Sequence, residues 1–347
     1  MLAQCADAYH FLTLNGYQDK YPNMRTCFAH GGQLAQINLG RRIQGFDGRP
    51  DLFEGKQIKE LSIEIEPHEA TALTNPNRVI VTNYGTPDFE GKSITVINAD
   101  TNTIEKTITL GESLRPHGII PLPQPNKVGV VTDIGNDLSV VNVAIGVVEK
   151  QISTQQDFSH LLVHHPFKPL IYVSNINSGS VSVIDVELDK VIKIIPCSKR
   201  AEGIDITPDG AELWVTNIKE NFISVINTET YKTTARIDTG KEPLRLKFSN
   251  DGKQCLVSNS GDGTVSVYNT KTKKQISSIS IPGKKNIIEK VLYLTPRPVG
   301  ILMHSNGLYA FVSNLTAGRV EVIDMRNFTL VSSIKVGNMP DGLALIN

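Results

Sequence analysis

"LIYVSNINSGSVSVIDVELDKVIKII", residues 170–195, holds three apolar runs of alternating pattern separated by two turns. Period-2 alternation of β-branched residues bounded by Asn, Gly and Asp predicts three short strands. The stretch recurs as "ELWVTNIKENFISVINTETYKTTARI" (212–237), "QCLVSNSGDGTVSVYNTKTKKQISSI" (254–279) and "YAFVSNLTAGRVEVIDMRNFTLVSSI" (309–334). Two earlier copies are "VIVTNYGTPDFEGKSITVINADTNTIEKTI" (79–108) and "VGVVTDIGNDLSVVNVAIGVVEKQI" (128–152). Each copy follows a short apolar run that ends at a turn such as "TPDG" (207–210), "SNDG" (249–252) or "HSNG" (304–307). The unit is therefore four antiparallel strands, and its commonest period is 42 residues, as between Asn175, Asn217 and Asn259. A fixed period of this length marks a repeat architecture.

The first strand of each unit begins with a recognisable triplet. The triplets are "PHE" (67–69), "PHG" (116–118), "SHL" (159–161), "AEG" (201–203), "PLR" (243–245), "PVG" (298–300) and "PDG" (340–342). Seven starts accompany six full units, because the last stops after one strand. The missing strands are expected at the other end of the chain, in "AYHFLTLNG" (8–16), "GQLAQINL" (32–39) and "KQIKELSIEI" (56–65). A sheet built from both termini closes a ring and leaves no open edge. The expectation is an all-β, seven-bladed β-propeller of four-stranded antiparallel blades, in one domain spanning 1–347. Its blades would cover about 67–115, 116–158, 159–200, 201–242, 243–297 and 298–339, with 340–347 joining 1–66.

The motifs "YVSN", "VTNY", "WVTN" and "FVSN", followed by "SVIDV", "SVINT" or "EVIDM", resemble the YVTN-repeat β-propeller family. The likeness runs from about residue 8 to 347. It implies the propeller fold and leaves function open, since that architecture serves binding modules, lyases, lactonases, oxidoreductase subunits and cell-surface proteins. "LTNPNR" and "PLPQPNK" depart from the usual Asp-Gly turn.

Composition narrows the partners. The 347 residues carry a formal net charge of +0, which argues against nucleic acid. No apolar stretch approaches the roughly 18 residues of a membrane helix. The opening "MLAQCADAYHFLTLNGYQ" lacks the basic and apolar regions of a signal peptide. The four scattered cysteines contain no C-x-x-C and read as unpaired thiols, so a cytoplasmic protein is expected, as a monomer or weak homo-oligomer.

In a propeller the first strands line a central channel, and their starts share one face with the loops between second and third strands. The second triplet position therefore forms a ring at one channel mouth: His68, His117, His160, Glu202, Leu244, Val299 and Asp341. Only eight histidines occur in the chain, and three fall on consecutive positions of this ring. Imidazoles and a carboxylate converging from rigid strands suit a divalent transition metal, zinc, iron, copper or manganese. His68, His117, His160 and Glu202 are the expected ligands, with Glu202 also a candidate general base and Asp341 a catalytic partner orienting His68. A second ring, Asn15, Asn83, Asp133, Asn175, Asn217, Asn259 and Asn314, ends every second strand and is assigned to blade architecture.

Arg115, Arg200, Arg245 and Arg297 cluster near the mouth in sequence. Arg115, Arg245 and Arg297, with His30 from the insertion 17–32, are the expected contacts to a small, anionic substrate. Two further insertions, 84–91 and 282–297, should overhang the same face, the last with one or two helical turns in "IIEKVLYL". His164, His165 and His304 are expected as solvated turn residues on the opposite face, and Trp214 as blade core. No G-x-S-x-G, P-loop or dinucleotide fingerprint is present. A metal-dependent lyase, isomerase, lactone hydrolase or oxygen-using enzyme is the leading expectation. The competing one is a non-catalytic propeller that binds a protein or small ligand on its loop-rich face.

Overall fold

The computed structural model describes residues 11–15, 25–29, 34–43, 52–63, 65–283 and 296–346, with side chains from Lys59 onward. Its first four-stranded sheet runs Pro67–Leu73, Arg78–Gly85, Glu90–Asn98 and Thr103–Thr109 in spatial order. Five more antiparallel sheets of four strands follow, with innermost strands Pro116–Pro121, Ser159–His164, Ala201–Ile206, Pro243–Phe248 and Pro298–Met303. The fold is an all-β propeller with six such blades. No helix among the described residues is long and apolar enough to cross a membrane.

The sheet joining the termini differs from the expected seventh four-stranded blade. It has five strands, in the order Gly342–Ile346, Arg25–Ala29, Phe11–Asn15, Leu34–Ile43 and Leu52–Ser62. The C-terminal strand pairs with Arg25–Ala29, inside the stretch 17–32 that was expected to be a loop, and not with the strand from 8–16. Phe11–Asn15 then pairs antiparallel to Arg25–Ala29 and parallel to Leu34–Ile43. Alternation in "MRTCFAH" is too short to separate a strand from a loop in sequence.

The repeat motif has a local explanation. The innermost strands of all six four-stranded blades lose ladder register near their starts, as between Ala201 and Ile204 or Pro298 and Ile301. Such a bulge strands a backbone amide. The Ser or Thr of "V-[ST]-N" accepts it: Gly203 N donates to Thr216 Oγ1 at 2.7 Å, and Gly300 N donates to Ser313 Oγ at 2.7 Å. The Asn that follows is buried and donates across to the third strand, from Asn217 Nδ2 to Ser224 Oγ at 3.1 Å and from Asn259 Nδ2 to Ser266 Oγ at 2.9 Å. The recurring "N" and "SV" of the sequence are thus two ends of one hydrogen bond.

Apolar side chains pack between neighbouring sheets rather than within one. Trp214, fully buried, meets Phe248 and Tyr268 of the next blade. Leu61 and Ile346 of the five-stranded sheet pack with Val79 and Val81 of the first blade. Tyr309 and Phe311 pack with Leu343 on the other side. Each buried aliphatic side chain contributes about 1.5–3 kcal/mol, so the terminal sheet is held from both flanks.

Glycine at the third triplet position lets the innermost strands approach. A Cβ on Gly300 would lie 2.3 Å from the carbonyl oxygen of Asp341, and one on Gly118 would lie 2.7 Å from that of His160. In both cases the obstructed carbonyl belongs to the ring residue of the next sheet.

His165 and His304 are buried, not solvated, and His164 is half-buried. His165 and His304 stand where other blades have Thr207 or Ser249, and their Nδ1 atoms accept turn amides, from Phe167 N at 3.1 Å and from Asn306 N at 3.0 Å. Burial lowers both below the ordinary histidine value, His304 to about 4.

Gly300→Ala should destabilise the protein by about 1–3 kcal/mol, because backbone cannot yield as a flexible side chain can. Gly283→Ala, whose Cβ meets nothing nearer than 3.7 Å, is the control. Urea denaturation of the two variants checks this; equal midpoints would contradict the close-approach role.

Candidate functional site

All seven second-position residues line one cavity of about 440 Å³ at a channel mouth. That lies within the roughly 300–1,000 Å³ usual for small-molecule sites. Tyr84, Phe158 and Arg200 complete part of the same wall.

The three histidines form a column. The His68 and His117 ring centroids are 3.9 Å apart and tilted by 46°, and those of His117 and His160 are 3.6 Å apart at 29°. His117 is fully buried, and its Nδ1 lies 3.1 Å from the carbonyl oxygen of His160. A carbonyl can only accept, so Nδ1 carries the hydrogen and Nε2 keeps the lone pair. That Nε2 is buried with no hydrogen-bond partner. Burial, then the neighbouring His160, His68 and Arg245, hold His117 well below the ordinary histidine value. It is therefore neutral, which is the form that ligates metal.

His160 is the opposite case. Burial works against its charge, but Asp133 and Glu202 outweigh it and raise its value. Its Nδ1 is 3.0 Å from Asp133 Oδ1, and its Nε2 is 3.8 Å from Glu202 Oε1. The ring thus lies between two carboxylates, which favour its protonated form. Tyr84 donates to the other oxygen of Asp133 at 2.8 Å.

Arg245 organises the acidic side of the floor. Its guanidinium donates to Glu202 Oε1 at 2.9 Å and to Glu69 Oε1 at 3.1 Å. Burial and the nearby Asp341 push Glu69 up to about 7 despite Arg245. Burial and Glu202 push Asp341 to about 6. Asp341 Oδ2 lies 3.6 Å from His68 Nδ1.

Metal-binding donors fall into two groups that share His117. His68, Glu69 and His117 offer donor atoms within 4.8 Å of one another, and so do His117, Asp133 and His160. Among the described residues no such group unites the three imidazoles, and neither group contains Glu202. His117 stands between His68 and His160 in the column, so the two outer rings fall in different groups.

The expected substrate arginines lie as follows. Arg245 is buried in the floor. Arg115 sits over the Tyr84 ring, 5.2 Å from its centroid, and donates to Thr86 O. Arg297 lines the cavity and pairs with Glu242 at 3.2 Å. His30 and residues 284–295 of the last insertion lie outside the described residues.

Glu69, Asp133 and Tyr84 had no place in the expected site. Two of them carry a signal: Asp133 is the one acid in a ring of asparagines, and Glu69 stands where four triplets have glycine. Nothing in sequence marks Tyr84.

No protein-family model matches the chain. A solved structure of Kuenenia stuttgartiensis hydrazine synthase is similar, with a TM-score of 0.69 at 17% sequence identity, covering 80% of this chain and 89% of that one. At that identity the likeness shows the propeller fold alone.

A raised histidine contributes stability that is fully present below its unfolded value of about 6.5 and lost as pH rises through the folded value. In metal-free protein, Asp133→Asn should therefore cost about 1–3 kcal/mol near pH 6 and less near pH 9. Urea denaturation at both pH values checks this. An equal loss at both would mean that His160 is uncharged beside Asp133.

Proposed function

We propose that the protein is a metal-dependent enzyme acting on a small molecule at this channel mouth. The observation that carries the proposal is the buried, unpartnered Nε2 of His117 beside His68 and Glu69. Two imidazoles and one carboxylate suit zinc or non-haem iron, and a set opening on a cavity leaves positions for water or substrate. His68, Glu69 and His117 would hold the ion, so the carboxylate ligand is Glu69 and Glu202 serves elsewhere. The ion would supply a Lewis acid or lower the pKa of a bound water.

The chain's own groups do the rest. The His160 carbonyl fixes the tautomer of His117. Asp133 and Tyr84 orient His160, as outer partners of a site commonly do. His160 holds a proton at Nε2, facing Glu202, on the side of the cavity where it can be passed to a reacting group. Arg245 keeps Glu202 and Glu69 in place. We also take the five-stranded sheet as the seventh blade, because Asp341 at its inner edge completes the cavity wall, and the six in-register motif copies as kinship with YVTN-repeat propellers.

Metal content of purified protein, expressed with zinc or iron supplied, tests the proposal. Wild type should hold about one ion per chain. His117→Ala and Glu69→Gln should lose it, and Glu202→Gln should keep it. A metal-free wild type would sink the proposal and favour the non-catalytic binding protein. Loss in Glu202→Gln with retention in Glu69→Gln would return the ligand set to the one expected from sequence.

A further inference from the structure

Part of the cavity wall takes no part in the metal-binding group. Leu244 and Val299 fill the ring between Glu202 and Asp341, and Leu315 and Phe158 extend apolar surface around the mouth. Charge on this half is sparse and mostly engaged. Arg245 is shared by Glu202 and Glu69, and Arg297 by Glu242 and Ser260. Arg200 differs: it lines the same cavity, is exposed, and its guanidinium has no hydrogen-bond or ion-pair partner among the described residues.

Arg200 sits at a turn that recurs before most of the triplets. Its φ is 63°, the left-handed region where glycine would fit with little penalty. Phe158 occupies the same position one blade earlier with φ 61°, and it too lines the cavity. Arg115, Glu242 and Met339, which precede other triplets, share this positive φ, so the turn belongs to the repeat; at Phe158 and Arg200 its side chain lines the cavity, and Arg200 supplies a cation there.

We propose that the cavity binds a small monocarboxylate with an apolar body. Its carboxylate pairs with Arg200, and its body lies across Leu244, Val299 and Leu315. The planar guanidinium fork matches a carboxylate in two parallel hydrogen bonds. A dianion such as a phosphate monoester would face Glu69, Asp133, Glu202 and Asp341 with only one uncommitted cation. The opposite end of the ligand would then meet the histidine column, and only that last point rests on the metal-site proposal.

Calorimetric titration of the full chain with hexanoate, hexanol and hexyl phosphate tests this, each in metal-free and zinc-loaded protein. Hexanoate should bind saturably in both states and more tightly than the other two. Arg200→Gln, an exposed change that leaves the floor intact, should weaken hexanoate at least about tenfold in both states. Leu244→Ser should weaken it as well. Absence of saturation, indifference to Arg200→Gln, or tighter binding of hexyl phosphate would overturn the proposal. So would hexanoate binding that needs zinc and ignores Arg200→Gln, because the carboxylate would then sit on the ion. Hexanoate binding to a protein that takes up no zinc would sink the metal-site proposal and leave this one standing.

Discussion

The contact on which the site depends is the one between His117 Nδ1 and the carbonyl of His160, two blades meeting at 3.1 Å. It exists because Gly118, the next residue, has no Cβ to hold that carbonyl away. One missing methyl group brings two innermost strands together. The same hydrogen bond sets a tautomer and leaves a buried lone pair. Propeller geometry supplies the strands, but this packing detail gives the histidine its chemistry. Gly342 plays the matching part where the ring closes, since its Cβ would lie 2.7 Å from the carbonyl of His68.

Charge in the site is arranged around that neutral histidine. The two carboxylates flanking His160 favour its charged form, and a charge there favours a neutral His117. Arg245 anchors the opposite side and lets Glu69, Glu202 and Asp341 share one small floor. Glu69 and Asp341, pushed up to about 7 and about 6, lie where protons can be exchanged near neutral pH. Acids and bases with separated affinities in one cavity are the usual basis for proton transfer.

Much of the fold was legible in sequence because each level of the repeat agrees with the next. The 42-residue period, the triplets and the alternation all locate the same strands, and the ring they define lines a single cavity. The terminal sheet was legible only in part, since one short alternating run, Arg25–Ala29, gives little signal and takes the place expected for Phe11–Asn15 beside the C-terminal strand. At the site, register placed the histidines, but it could not say which nitrogen points where. It could not show that Arg245 would hold Glu202 and Glu69 together, because they lie 43 and 176 positions from it and meet it only through the ring. Asp133 was legible as an exception within a rule, and exceptions of that kind mark where a structural position has been given other work.

X-ray absorption spectroscopy of the zinc-loaded protein tests the central claim most directly. Two imidazoles and a carboxylate predict a first shell of nitrogen and oxygen alone at about 2.0–2.2 Å, with imidazole outer-shell scattering that falls in His117→Ala. A first shell containing sulfur, or imidazole scattering unchanged in His117→Ala, would place the ion elsewhere and contradict the account.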